Sequence, residues 1–156
     1  MNFSPTFADD RSRHDDVVLI LGDHRDVCDS YYFAIDHTFM PSREDGQKVR
    51  IVLTVLLERW IEAITSSPTG HTVFLPYDFS DQYTGCIQCE RVTDTDLHLT
   101  LGYSKREGWA VMPSNPGDYF QTVSDFTGTG LPESCSLAVF VTAIHTAISE
   151  LGVDPR

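Results

Sequence analysis

Basic residues are scarce in this chain, and their scarcity limits the partners it can bind. There are 11 lysines and arginines against 23 aspartates and glutamates, for a net charge of −12. No lysine or arginine lies between Glu107 and Pro155, and Arg91 is the only one between Trp60 and Ser104. Such a surface repels nucleic acid and anionic lipid and attracts a cationic protein. Acidity that serves only solubility is the competing interpretation.

Long apolar runs are also missing. No stretch reaches the roughly 18 apolar residues that a membrane-spanning helix needs. Residues 1–16 contain four aspartates and no basic region followed by an apolar run, so we do not expect a signal peptide. The four cysteines are scattered, and without an export signal we expect reduced thiols in a cytoplasmic protein.

The motifs of common enzymes do not occur. The sequence has no GxSxG, GxGxxG, P-loop or HExxH pattern, and no lysine follows Gly128-Thr129-Gly130. Cys86 and Cys89 have the CxxC spacing but lie inside a predicted strand, which favours two packed thiols over a redox pair. We therefore predict no catalytic residue, no metal site and no cofactor.

Two amphipathic helices stand out from the patterns that are present. Apolar residues recur at helical spacing over about 43–66, with Ser42 and Asp45 as a capping-box start. A second apolar stripe covers about 133–151 and is followed by Gly152, which suits the end of a helix.

The remaining periodicity is that of strands. Residues 17–21 form a continuous aliphatic run, and alternation predicts strands at 31–40, 72–75, 83–91, 97–103, 109–112 and 119–123. Pro76 should end the strand over 72–75, and short turns favour an antiparallel meander. We predict an α+β fold, mainly an antiparallel sheet with both helices packed on one face. Residues 1–15 should be a flexible tail and 16–156 a single domain.

A group of acidic and imidazole side chains suggests one enzymatic alternative. Asp23 and His24 lie between the first two predicted strands, and Asp36 and His37 lie in the second of them. If these strands pair, the four groups approach one another and could act in a small hydrolase, with or without a metal. A solvated loop is the competing interpretation, because no motif of fixed spacing is present.

Aromatic and acidic residues alternate in the segment 76–83, which the strand pattern leaves as a loop. Aromatic side chains are frequent anchors of protein interfaces, and acids around them attract a basic partner. Ordinary core packing of these rings is the alternative. The residues that we expect to bind the partner are Tyr77, Asp78, Phe79, Asp81, Tyr83, Trp109, Asp118 and Tyr119.

In size, charge and lack of catalytic motifs, the chain resembles the small acidic immunity proteins of bacteria. The acidic and aromatic segment 77–83 adds to this resemblance. Such a resemblance implies a protein that occludes the active site of a secreted toxin domain, such as a basic nuclease. It assigns no residue by position, and a regulatory interaction module is a further alternative.

Overall fold

The computed structural model describes residues 6–7, 15–36, 38 and 45–154. Its strands are β1 Thr6–Phe7, β2 Asp15–Leu21, β3 His24–Asp29, β4 Thr72–Phe79, β5 Thr84–Arg91, β6 Asp96–Ser104, β7 Thr127–Gly128 and β8 Glu133–Ser136. Its helices are α1 Tyr31–Ala34, α2 Asp45–Ser66, α3 Tyr119–Thr122 and α4 Leu137–Leu151, and Gly108–Ala110 forms a 3₁₀ turn.

Two antiparallel sheets organise these elements. The larger sheet has the order β4-β5-β6-β7, and β8 also pairs with β6, while the smaller sheet has the order β1-β2-β3. Every strand pair is antiparallel. The α+β fold with a mainly antiparallel sheet is therefore confirmed, and β1 lies within the segment predicted as a tail.

The two long helices follow the predicted pattern closely. The Ser136 hydroxyl accepts the amide N–H of Val139 at the start of α4, and Gly152 has a φ of 66° just beyond its end. Residues 133–136 belong to β8, so α4 begins later than predicted. The predicted cap of α2 at Ser42 lies outside the described residues.

Arg91 holds the C-terminal end of α2 against the hairpin of β5 and β6. Its guanidinium donates to the carbonyl of Ser67 at 2.8 Å and, from its other nitrogen, to that of Asp94 at 2.9 Å. Carbonyl groups at a helix end lack partners within the helix, and a cation there also complements the helix dipole. Arg91 therefore stabilises the join between α2 and the sheet.

Three of the predicted strands are wrong. The segment predicted as a strand over 31–40 instead begins with the helical turn α1, and 109–112 and 119–123 contain the 3₁₀ turn and α3. Alternation alone does not distinguish a strand from one helical turn when an aromatic ring is anchored in the core. Tyr119 and Phe33 are such rings, and both are buried.

Two boundaries of the predicted sheet are also wrong. The segment predicted as the loop between the first two strands contains β3, which pairs with β2 through the tight turn Gly22-Asp23. Pro76 does not end β4, because the strand continues to Phe79 past an irregularity between Pro76 and Asp78. Proline is tolerated in an edge strand or at a bulge, and β4 is at the edge of the larger sheet.

Candidate binding groove

The apolar core face of the larger sheet gives way, towards one end of β4, β5 and β6, to polar residues. Leu75, Ile87 and Leu101 are neighbours across β4, β5 and β6, and all three are buried. Side chains two residues apart on a strand share a face. Two residues further along, Gly85 and its neighbour Tyr103 continue this face, and Asp78 pairs with Gly85 beyond the bulge.

Gly85 leaves the space that Asp78 occupies. A Cβ atom at this position would lie 2.8 Å from the Cβ atom of Asp78, closer than real side chains approach. Glycine inside a strand often marks a close approach of this kind. Any larger residue at position 85 would therefore displace the Asp78 carboxylate.

The smaller sheet and α1 form the opposite wall, and the space between the walls is a groove of two adjoining hollows. The hollow beside α1 has a volume of about 740 Å³, and the one above Gly85 and Tyr103 about 520 Å³. Val27, Asp78 and Tyr83 line both hollows. We call the two hollows together the tyrosine groove.

The lining of the tyrosine groove is acidic and aromatic. The chain has six tyrosines, and five of them line it: Tyr31, Tyr32, Tyr77, Tyr83 and Tyr103. Four aspartates also line it: Asp26, Asp29, Asp78 and Asp81. No lysine, arginine or histidine of the described part of the chain does so. The groove thus combines the ring faces and carboxylates that attract a cation.

Three of these tyrosines donate hydrogen bonds to three of the aspartates. The Tyr77 hydroxyl donates to Asp26 at 2.7 Å, and the Tyr83 hydroxyl donates to Asp78 at 3.1 Å. The third pair is Tyr32 and Asp81. Each bond engages one carboxylate oxygen and fixes the side chain, while a carboxylate has about four acceptor positions. These bonds therefore orient the three carboxylates within the groove.

Burial and the same pairing keep the phenols protonated. The hydrogen bond to Asp81 is the largest cause that raises the pKa of Tyr32 to about 12. Burial first, and then the charge of Asp78, raises the pKa of Tyr83 to about 12. Burial and the bond to Asp26 raise the pKa of Tyr77 much further. These phenols act as hydrogen-bond donors and not as bases at neutral pH.

Five of the eight residues predicted to bind a partner line the groove. Asp78, Asp81 and Tyr83 are partly or fully exposed there. Tyr77 and Phe79 are only 6% and 1% exposed, because they belong to β4 and not to a loop. They form the base of the groove, and the expected loop over 76–83 is reduced to the turn between β4 and β5.

Trp109 lies beside this turn without lining the groove. It is 65% exposed, and the amide of the preceding Gly108 donates to the Ser80 carbonyl at 2.6 Å. A Cβ atom at Gly108 would lie 2.5 Å from that carbonyl oxygen, so the close approach requires glycine. The structure thus places one exposed indole next to the rim formed by residues 80–83.

Asp118 and Tyr119 lie elsewhere. The Asp118 carboxylate is 3.5 Å from the Arg106 guanidinium, which also lies 5.1 Å from the centre of the Tyr119 ring. The Tyr119 hydroxyl is buried and lies 2.8 Å from the Ser104 hydroxyl. Both side chains therefore interact with other side chains of this protein, and neither lines the groove.

The sequence pattern does not indicate the residues of the opposite wall or Tyr103. It predicts a loop at Asp26 and Asp29 and, at Tyr31 and Tyr32, a strand that does not form. The last residue of β3, Asp29, gives a signal that could have located the turn. Asp29 accepts the amide of Tyr31 at 2.7 Å, the local bond with which aspartate commonly starts a turn.

The described members of the proposed hydrolase cluster have different neighbours. The buried carboxylate of Asp36 accepts the amides of Thr38 at 3.0 Å and Ser114 at 2.9 Å. The His24 imidazole lies against Gly130, and Asp23 lies in the turn before β3. His37 is outside the described residues. Within the described ranges, no three histidine, cysteine or acidic side chains are grouped so that they could hold a metal ion.

The CxxC pair is packed as the sequence predicted. Cys86 and Cys89 are buried free thiols in β5. Burial raises the pKa of Cys86 to about 11 and that of Cys89 to about 12. Because the thiolate is the reactive form, neither is a nucleophile at neutral pH.

Comparison with known proteins gives no relative from which a role could be transferred. No family model, curated protein or solved structure matches the chain. Of the helices that the structure describes, none combines the length and the apolar character needed to cross a membrane. The chemistry of the tyrosine groove is therefore the basis for inferring function.

Proposed function

We propose that this chain is an acidic binding protein that captures a basic protein domain in the tyrosine groove and blocks its active site. In this role it acts as a cytoplasmic immunity protein against a toxin domain. One observation carries the proposal: five of the six tyrosines and four aspartates line a single groove, and no cation of the described residues lines it with them.

The groove chemistry fits an arginine- or lysine-rich surface. Oriented carboxylates accept charge-assisted hydrogen bonds from guanidinium or ammonium groups, and tyrosine faces stabilise the same cations. Tyrosine buries a large area at low entropic cost, which suits the centre of an interface. A toxin that acts on nucleic acid or nucleotides presents a positive surface, and an acidic protein seated on it excludes the substrate.

Capture with matched charge variants tests this proposal. The wild-type chain, Asp78→Lys/Asp81→Lys and the control Glu58→Lys/Glu150→Lys serve as immobilised baits in lysate of the source cells. The control removes equal charge from exposed positions on α2 and α4. We expect wild type and control to retain the same basic protein and the groove variant to lose it.

The captured protein is then produced by itself and in the presence of each variant. We expect its toxicity to be suppressed by wild type and control but not by the groove variant. Equal capture by all three baits would show that the groove is the wrong surface. A captured protein without toxicity would instead support a regulatory binding module and contradict the immunity role.

A further inference from the structure

One edge of β3, called its free edge here, pairs with none of the other strands that the structure describes. β3 pairs with β2 from Leu21 and His24 onward, through the two-residue turn Gly22-Asp23. Residues flanking such a turn exchange hydrogen bonds, and the pattern alternates along an antiparallel pair. Arg25 and Val27 therefore direct their backbone N–H and C=O groups away from β2. Among the described residues, β3 has no other strand partner.

This edge runs along the tyrosine groove. Val27 lines both hollows and is 46% exposed, while Asp26 and Asp29 each line one hollow. Asp78 and Tyr83 face them from the opposite wall. At about 3.3 Å per residue, a strand beside residues 26–29 would need only about 10–13 Å of groove.

We propose that the groove binds an extended, arginine- or lysine-bearing segment of the partner, which adds as a strand to the free edge of β3. This inference rests on the proposed function, since it names the part of the basic partner that enters the groove. Backbone hydrogen bonds to Val27 supply affinity that is independent of sequence. Alternate cationic side chains then reach the aspartates and tyrosines, which select the sequence.

Charge favours such a segment over a second copy of this chain. β3 carries the two acids Asp26 and Asp29 against one constant cation, Arg25, so two copies paired through it would bring an excess of like charge together. The net charge of −12 adds long-range repulsion between copies. A basic strand reverses both effects.

Val27→Pro removes the hydrogen-bond donor of the edge. Its N–H points away from β2, and proline is tolerated in an edge strand where its missing N–H faces outward. Val27→Ala is the matched control, since it shortens the side chain and keeps the N–H. The probe is a short capped peptide of alternating arginine and valine, titrated into the full ¹⁵N-labelled chain and followed by NMR.

We expect wild type and Val27→Ala to bind the peptide with similar affinity and Val27→Pro to bind it about tenfold more weakly. In the wild type, the amide signals of Arg25 and Val27 should shift and become protected from exchange. A peptide of alternating glutamate and valine should not bind. Failure of the arginine peptide to bind wild type, or equal binding by Val27→Pro, would overturn the proposal.

N-methylated peptides test the same bonds if Val27→Pro does not fold. Two versions carry methyl groups on alternate amides, in opposite phase. Because a strand presents only every second amide to its neighbour, one version should lose about tenfold in affinity and the other should bind as the parent does. Two versions that both bind as the parent would rule out strand addition.

Comparison of an aspartate variant with the backbone variants distinguishes strand addition from binding of the basic partner in general. Asp78→Asn should weaken peptide binding, with the exposed Glu58→Gln as its neutralisation control. If Asp78→Asn weakens binding while Val27→Pro and N-methylation do not, the groove binds cations without adding a strand. The capture experiment with the basic protein would then stand, and only the strand addition would be wrong.

Discussion

The same three strands build two contrasting regions on one face of the larger sheet. Around Leu75, Ile87 and Leu101 the face is closed and apolar. A few residues further along β4, β5 and β6, it opens into the tyrosine groove beside Asp78, Gly85 and Tyr103. The closed region supplies the burial that stabilises the fold, and this rigid base lets the open end carry exposed charge.

The largest expected difference between the two regions is in stability. Ile87→Ala removes a fully buried side chain and should lower the free energy of unfolding by about 2–5 kcal/mol. Asp81→Asn changes an exposed groove residue and should lower it by less than about 1 kcal/mol. Urea denaturation of both variants measures these values. A comparable loss for Asp81→Asn would mean that the groove is part of the stabilising core.

A smaller loss of stability is expected for substitutions at the boundary between the two regions. Tyr77→Phe keeps the buried ring but removes the hydroxyl that donates to Asp26, and should cost about 1–2 kcal/mol. Tyr83→Phe removes the corresponding hydroxyl from a more exposed ring and should cost about half as much or less. Chemical denaturation of the two variants checks this order. A larger loss of stability for Tyr83→Phe would show that the bond to Asp78 stabilises the fold more than the bond to Asp26 does.

The smallest expected effect is the pH dependence that two tyrosines of the open region contribute to stability. Tyr32 and Tyr83 have pKa values raised from 10.0 to about 12, so folding favours their protonated forms. The resulting stabilisation is fully present below pH 10 and is lost as the pH rises toward 12.

Absorbance of the phenolate, measured against pH, checks this expectation. Tyr32→Phe should remove one group that titrates near pH 12 in the wild type. It should also reduce the fall in stability over that interval. An unchanged titration curve in this variant would show that Asp81 does not hold the Tyr32 hydroxyl in solution.

The closed region was far easier to predict from the sequence than the open one. The alternation of leucines at 97, 99 and 101 in β6 and the apolar stripe of α4 extend over enough residues to define their period. Both elements form, although α4 begins later than predicted. These patterns arise because one face of each element is continuously buried. The α+β fold could therefore be read from burial periodicity alone.

The tyrosine groove could be predicted only in part, because it joins segments that are distant in the chain. Asp78, Asp81 and Tyr83 were identified from local composition. Asp26 and Tyr32 reach the same groove through pairing of β3 and formation of α1, neither of which local periodicity indicates. β3 is mostly exposed and polar, so its sequence resembles a loop.

The bulge in β4 allows two consecutive residues of the strand to line the same hollow. Consecutive side chains of a regular strand point to opposite faces, so at most every second residue can serve one cavity. Tyr77 and Asp78 are consecutive, yet both line the hollow above Gly85. The extra residue of the bulge makes this possible by re-aiming one side chain. Deleting one residue here would keep the strand and halve the functional groups that it contributes to that hollow.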